Sequence, residues 1–595
     1  MGLLQKAVET YDAHSEFIGA EIEGHEMLVP VSHILTRAEI EITLEDDGSF
    51  YSARLVDKKE PKIAIQATEE SAGRTSSPCA HPLCDRLCYI CDYNEKNHSL
   101  YINQLTRWAN SEYSHPMLLP ILKYVESKTV LSDLKNSGII KLNDKGIPEN
   151  EKMIVRWRVH GIETPKDGCW QQKSLFKAFG DWYSSIQNFD KRSLCMITGN
   201  NEIITGNHPK GIVSIKGNAK LISANDSRGF TFRGRFTDQS QAATVGYIAS
   251  QKAHNALRWI VAEQGAIFGD RAFLCWSPQG VKICHAAGPF GDKSKVITKP
   301  SDYQDELKNT LKGYMSELPE KNSTVVIAAL DAATTGRLAI TYYNELMDSD
   351  YLNRLHNWDK HCCWYYKKYI NSPTLSAIVN CAFGKVMTEN GKEVLKTDTK
   401  VFGQHMQRLI SCRVDGMRIP FDIMRALINR ASSPLGYGKV WDKILSTTCA
   451  VIKKYRYDYY KEEYEMELKP EKTDRSYQFG RLIAVFEKVE KDTYKDGEDR
   501  DTYAIRMMSV FHRRPLFIAN DIEKHLERAY FGRLKPQSSI YYKKLIGEIL
   551  GEIYKFPQEE WNNPLSETYL MGYYLQRNDL YKSKKEVKTE EEVKL

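Results

Sequence analysis

Apolar and polar positions alternate through "EIEITLEDDGSFYSARLV", residues 39–56, with Ile40, Ile42 and Leu44 on one side of an Asp47-Gly48 turn and Phe50 to Val56 on the other. Alternation around Asp-Gly predicts a β-hairpin. "KIAIQA" (62–67), "MIVRWRVHG" (153–161), "TVVIAALD" (324–331) and "RLAITYY" (337–343) read as further strands. Residues 99–133 read as helical, with Leu105, Trp108, Leu118 and Leu122 among the apolar positions and breaks at Pro116 and Pro120. "SQAATVGYIASQKAHNALRWIVAEQ" (240–264) predicts one helix, with Ala243, Gly246, Tyr247, Ser250, Ala253, Ala256, Leu257 and Ile260 forming its apolar stripe.

The character changes near residue 400. "YQFGRLIAVFEKVEKDTY" (477–494), "RMMSVFHRRPLFIANDIEKHLERAYF" (506–531) and "SIYYKKLIGEILGEIYKF" (539–556) are amphipathic, the pattern of a helical bundle. The expected fold class is α+β: a mixed β-sheet and helix N-terminal part over 1–400, a helical connecting region over 401–460, an all-α C-terminal bundle over 466–582, and a disordered tail over 583–595. The charged segment Glu462 to Asp474, with Pro470, suits a linker.

A chain of 595 residues exceeds what one core supports, so at least two domains are expected. The formal net charge of +6 says little by itself. Thirteen cysteines are too sparse for a disulfide scaffold and suit reduced thiols. No apolar run reaches the ~20 residues a membrane span needs, and the N-terminus lacks the pattern of a secretory signal. These features suit a cytoplasmic protein without a membrane partner.

Charge does change the picture locally. Between Lys191 and Ile260 stand ten Lys or Arg and three acids, a local excess of seven. Cations among glycines, with Asn and Ser donors nearby, suit a phosphate backbone, and on composition alone they equally suit a solvated loop. In "CAHPLCDRLCYIC", Cys88-x-x-Cys91 has zinc-ligand spacing, with Cys79 and Cys84 as further thiols. The Cys79 to Cys84 spacing is loose, however, and Cys84, Cys88 and Cys91 also recur at helical spacing, which suits buried thiols; no metal is expected. "HNWDKHCCW" (356–364) reads as packed Trp and Cys. There is no Walker loop, Gly-x-Ser-x-Gly, His-Glu-x-x-His or Rossmann fingerprint, so no spacing proposes catalysis or a cofactor.

An ordered set of motifs carries a resemblance. "CMITGNN" (195–201) is followed by "HPKGI", "NAKLISAND", "AATVGYIASQKAHNALRWI" and "FLCWS"; "RTSSPCAHPLCDRLCYI" precedes them, and "SCRVDGMRIPFDIMRALINR" and "YQFGRLIAVFEKVE" follow. In this order the chain resembles the large subunit of type I-C CRISPR Cascade complexes. It departs from that family in having "FTFRGRF" where a Ser-Tyr-Gly triplet is usual, and Asn218-Ala219 where Gly is common.

The resemblance implies a non-catalytic subunit of a guide-RNA particle. Such a subunit inspects target double-stranded DNA for a protospacer-adjacent motif, helps open the duplex and supports the R-loop. Its partners would be the CRISPR guide RNA, the handle-binding and backbone subunits, and a separate helicase–nuclease. The rival readings are a metal-dependent nuclease and a zinc-stabilised RNA-binding module.

On this reading Lys210, Lys216, Lys220, Arg228, Arg233 and Arg235 anchor phosphates. Asn218, Ser223 and Asn225 donate to a groove edge or to guide RNA, and the Arg74-Thr75-Ser76-Ser77 loop is a second candidate for groove contact. The family also makes its C-terminal helical module separately, as a small subunit, by internal translation. Lys461, Glu462 and Glu463 are encoded only by purines and stand just upstream of Met466, so Met466 is the expected internal start. Met466→Leu should therefore abolish a short C-terminal product while leaving the full chain at its normal level. An immunoblot against a C-terminal tag reads this directly, and persistence of the short product would rule out that start.

Overall fold

The structure, a computed structural model, describes residues 2–74, 77–162, 166–187, 192–213, 217–223, 243–280, 283–290, 295–318, 323–332, 334–495 and 497–582. The chain forms two compact units, one from residues 1–282 with 323–345 and one from 283–322 with 346–595.

In the first unit, helix α1 (Leu3–Ala13) precedes strands β1 (His33–Thr36), β2 (Ile40–Leu44), β3 (Phe50–Leu55) and β4 (Ile63–Gln66). The expected hairpin is β2–β3, with Ile42 opposite Ala53 and Gly48 at φ +90°, a turn conformation that favours glycine. Strand β5 (Val155–Val159) joins β2 in parallel on its other edge, and β1 pairs with β4.

Short helices α2 (Glu69–Gly73) and α3 (Leu87–Ile90) lead to α4 (Glu95–Ala109), α5 (Leu118–Glu126) and α6 (Val130–Asn136). Pro120 does not break the helical run. It sits in the first turn of α5, where the backbone N–H it lacks has no helical acceptor. With α7 (Lys173–Ser185) these helices enclose a core around the fully buried Trp108 and Trp157.

Strands β6 (Arg192–Leu194) and β7 (Asn201–Ile203) form a small hairpin before α8 (Tyr247–Gln264). Helix α8 begins later than the apolar pattern suggests. Gly246 is its N-cap, and the residues before it run extended: Thr244 and Val245 accept from the Met196 and Thr205 amides, and Gly246 stands opposite Ile204 across an antiparallel bridge. Ala253, Ala256, Leu257 and Ile260 of α8 pack on a sheet ordered β11-β10-β9-β8 and on α1. Those strands are β8 (Ala266–Phe268), β9 (Arg271–Trp276), β10 (Thr324–Asp331) and β11 (Ala339–Met347).

The second unit contains α9 (Pro300–Ser316), α10 (Asp348–His361), the hairpins β12 (Trp364–Tyr366)–β13 (Tyr369–Asn371) and β14 (Lys385–Glu389)–β15 (Lys392–Lys396), and α11 (Leu375–Phe383). Helices follow: α12 (Thr399–Val414), α13 (Phe421–Ala431), α14 (Trp441–Tyr460), α15 (Arg475–Lys491), α16 (Tyr503–Phe511), α17 (Pro515–Ala529), α18 (Pro536–Ile553) and α19 (Thr568–Leu580). The mixed first part and helical later part give the α+β fold the sequence predicts. The "HNWDKHCCW" stretch is packed as expected, with Trp358, Cys362, Cys363 and Trp364 all buried.

The segment Glu462 to Asp474 is not a free linker. Tyr464 and Met466 are buried, Gln478 donates to the carbonyls of Pro470 and Lys472, and Arg481 donates to Pro470. The Met466 thioether lies 3.8 Å from the Cys363 thiol.

Helix α15 is buried on every side from Ser476 to Glu487. It crosses α19 backbone to backbone: a Cβ on Gly480 would strike the Tyr569 carbonyl, and one on Gly572 would strike the Tyr477 carbonyl. Gly480→Ala or Gly572→Ala should therefore destabilise the second unit by about 1–3 kcal/mol or more, since neither backbone can yield cheaply. Chemical denaturation of the full chain reads this, with Gly547→Ala, at an open position of α18, as the control for a glycine change without a clash.

Candidate nucleic-acid interface

Residues 205–223 enter the first unit through a series of tethers. The Glu69 carboxylate at the start of α2 accepts from the Thr205 hydroxyl at 2.6 Å and from the Asn207 amide at 3.2 Å. His208 is buried, with Nδ1 2.8 Å from the Ser250 hydroxyl of α8. Arg258, two turns further along α8, donates to the carbonyls of Lys210 (2.8 Å) and Gly211 (3.2 Å) and to the Asn255 side chain (3.3 Å).

Gly211 at φ +76° lets the chain turn tightly, and a Cβ there would press on the Gly217 carbonyl. The Gly211 amide then donates to the carbonyl of Ala219, whose side chain is buried.

This fold-back lines up cations. Lys210 and Lys220 stand opposite each other across an antiparallel bridge, and Lys220 stands opposite Arg337 across a parallel one. The second bridge is made by the Lys220 amide donating to the Gly336 carbonyl at 3.2 Å and the Leu338 amide donating to the Lys220 carbonyl at 2.9 Å. Residues directly opposite in neighbouring extended segments present their side chains on one face, and like charges there repel. Among the described residues none of Lys210, Lys220, Arg258 and Arg337 forms an ion pair.

The electrostatic consequences are visible in the groups themselves. Burial, then the neighbouring Lys210, lowers the pKa of Lys220, and burial lowers that of Arg258. The rings of His208 and His254 stack at 6.0 Å. Burial depresses His208 to about 3, helped by His254 and Lys220, and His254 to about 4, so both are neutral beneath the cations. An aligned set of cations without ion pairs, offset at Lys220 in part by the Glu69 carboxylate, costs stability in isolation and is relieved by a polyanion that several of them neutralise together.

A family model described as CRISPR-associated protein (Cas_Csd1) matches residues 8–581. The chain belongs to the Cas_Csd1 family of CRISPR-associated proteins. No individual curated protein matches it. In this Cas_Csd1 protein no helix among the described residues is long and apolar enough to cross a membrane.

Of the residues the sequence singles out, Lys210 and Lys220 meet, Asn218 is exposed on the turn between them, and Ser223 is half-buried just beyond. Lys216, Asn225, Arg228, Arg233 and Arg235 lie outside the described residues, as do Thr75 and Ser76. Ser77 is exposed. Arg74 requires a correction. Its guanidinium is buried against Asp85 through two bonds (2.5 and 2.9 Å), donates to the Cys79 carbonyl and lies 4.7 Å from the Tyr89 ring. It braces the Cys79–Tyr89 segment and is not free to enter a groove.

Sequence reading missed two members of the interface. Arg258 belongs to the local cation excess but carries no motif, and Arg337 comes from a strand edge far along the chain. The Cys79–Cys91 thiols do not converge: Cys84 turns to Cys169, Sγ to Sγ 3.4 Å. Among the described residues no group of three or more His, Cys, Asp or Glu is arranged to hold a metal.

The neutral histidines of this Cas_Csd1 protein make its stability depend on pH. Burial holds His33, His81 and His254 at about 4 and His208 at about 3, whereas unfolded imidazoles titrate near 6.5. Below about pH 6.5 the unfolded chain binds more protons than the folded one, so stability falls as pH falls toward 4, by about 1 kcal/mol per pH unit for each group. Denaturant midpoints between about pH 7 and 5 should decline, and His254→Gln should make the decline shallower; an unchanged slope would refute the assignment to these rings.

Proposed function

We propose that this protein is the large, non-catalytic subunit of a type I-C Cascade complex, and that it grips target duplex beside the protospacer-adjacent motif. The observation that carries the reading is the row Lys210, Lys220 and Arg337 with Arg258 behind it: cations facing one another with no ion pair among the described residues. Phosphates along a strand are the complementary ligand, because each contact releases condensed counterions. Asn218, at the exposed turn, is the group placed to donate toward a base edge. Base pairing to the guide RNA then reads the remaining sequence, the division of labour known for other RNA-guided effectors. A separate helicase–nuclease performs the cleavage, recruited through the assembled particle with its handle-binding and backbone subunits.

The C-terminal helices suit a second role as the small subunit begun at Met466. Such a product keeps the α15–α19 crossing but loses α14. In the full chain α14 covers α19 through Cys449 against the Leu570 carbonyl, Trp441 against the Tyr573 ring and Asp442 against Arg577. The separate product therefore exposes a partly apolar face and docks it on a neighbouring subunit of the particle.

Lys210→Glu with Arg337→Glu should weaken capture of duplex by the particle reconstituted with guide RNA and its partner subunits. The log–log dependence of affinity on salt should become shallower by about 2, one step for each lost phosphate contact. Unchanged affinity and slope would clear this face of the role. In the same assay with magnesium or manganese the DNA should stay intact; cleavage that an acidic-residue substitution abolishes would make the protein a nuclease instead.

A further inference from the structure

The C-terminal end of α14, in the second unit, reads "KKYRYDYYKEEY" and carries aromatic rings between cations. Tyr455 is buried, and it packs against Tyr459 (4.4 Å between ring centres) and Tyr460 (6.1 Å). The two outer rings are open to solvent, Tyr459 at 37% and Tyr460 at 61% exposure. The Arg418 guanidinium lies over Tyr459 at 5.0 Å and that of Arg456 over Tyr460 at 5.1 Å. Lys461, the left-handed C-cap of the helix, stands 5.2 Å from the Tyr457 ring, which stacks on His361 at 3.5 Å.

A basic residue at a helix C-cap complements the dipole, which accounts for Lys461, and Arg456 is accounted for by its ion pairs with Glu462 and Glu567. Neither accounts for Arg418, which comes from the loop before α13. That loop is fastened to the same end of α14: the Ile419 amide donates to Asp458 at 3.1 Å, and the Tyr459 hydroxyl donates to the Ile419 carbonyl at 3.3 Å. The nearby acids are already matched, Asp458 to Lys454 and both Glu462 and Glu567 to Arg456. Among the described residues neither Arg418 nor Lys461 forms an ion pair. The result is a cationic edge around two solvent-facing rings.

We propose that Tyr459 and Tyr460 are a stacking platform for the unpaired bases of single-stranded nucleic acid, with Arg418 and Lys461 taking the flanking phosphates. Aromatic faces accept any base, and cations beside them follow the backbone of the strand. A duplex keeps its bases stacked inside and offers these rings nothing equivalent. The inference rests on the nucleic-acid reading above but uses different residues and a different state of the ligand.

The test uses the full chain and an oligothymidylate carrying one 2-aminopurine, in deoxy and ribo forms to tell a DNA strand from an RNA strand. Stacking should quench the probe on binding. Tyr459→Ser with Tyr460→Ser should remove the quench and weaken binding by about tenfold or more, given about 1–3 kcal/mol per stacked base. Tyr459→Phe with Tyr460→Phe should keep both within about twofold, because a phenyl ring stacks as well. The Ser and Phe pairs both lose the Tyr459 hydroxyl bond to the Ile419 carbonyl, so any fall in melting temperature from that loss is common to both, and the Phe pair serves as the folding control. Lys210→Glu with Arg337→Glu should leave the quench intact while duplex capture falls, which separates failure here from failure of the duplex reading. A Ser variant that quenches like the parent, or a duplex of the same length losing as much affinity as the single strand, would overturn the proposal.

Discussion

A half-buried guanidinium set against neutral acceptors holds the cationic face of the first unit together. Arg258 gives its hydrogen bonds to two backbone carbonyls and one side-chain amide, so the segment carrying Lys210 is pinned to α8 without its charge being cancelled by a described carboxylate. Burying a charge without a paired counter-charge is costly; the carbonyls satisfy its hydrogen bonds and offset part of that cost, and the lowered pKa of Arg258 reports the remainder. The uncancelled field is then felt nearby. It lies beneath the Lys210–Lys220–Arg337 row, and it adds to the burial that keeps His254 from taking a proton. Structure and electrostatics thus share one residue: remove Arg258 and the turn loses its anchor together with part of its potential.

Much of the architecture was legible wherever a local pattern and a burial pattern coincide. The β2–β3 hairpin and β5 follow from alternation, β10 from a short continuous apolar run, and α15 and α18 from apolar periodicity. The departures have physical causes. Helix α8 starts at Tyr247 because Thr244 to Gly246 pair in extended form with Met196, Ile204 and Thr205, contacts no periodicity encodes. Pro120 joins a helix because the first turn tolerates it. The amphipathic run 506–531 is two helices, with Pro515 opening the second. Helix α19 went unread because it is buried nearly all round and shows no single apolar face. Strand patterns do stop at Lys396, but helices on both sides of that point share the second unit.

The interface was legible only in part. Lys210 and Lys220 stand out because glycines and cations cluster there. Their pairing depends on backbone bridges, and the third member, Arg337, reaches the row through Gly336 and Leu338. Arg74 misled for the opposite reason. A basic residue ahead of a Ser-rich loop read as following a β segment looks available, and its partner Asp85 is recognisable only once Cys79 to Tyr89 has folded back over it.

The glycine crossing of α15 with α19 also sets an order of events during synthesis. Helix α15 emerges from the ribosome well before α19, and α16, α17 and α18 are made in between. Until residues 568–580 clear the exit tunnel, the Gly480 groove has nothing to close it, and a helix destined for burial waits in water or with a chaperone. A chain interrupted before that point carries an open groove that proteases and holdases can recognise, so the same contact that seals the finished fold also marks the unfinished one.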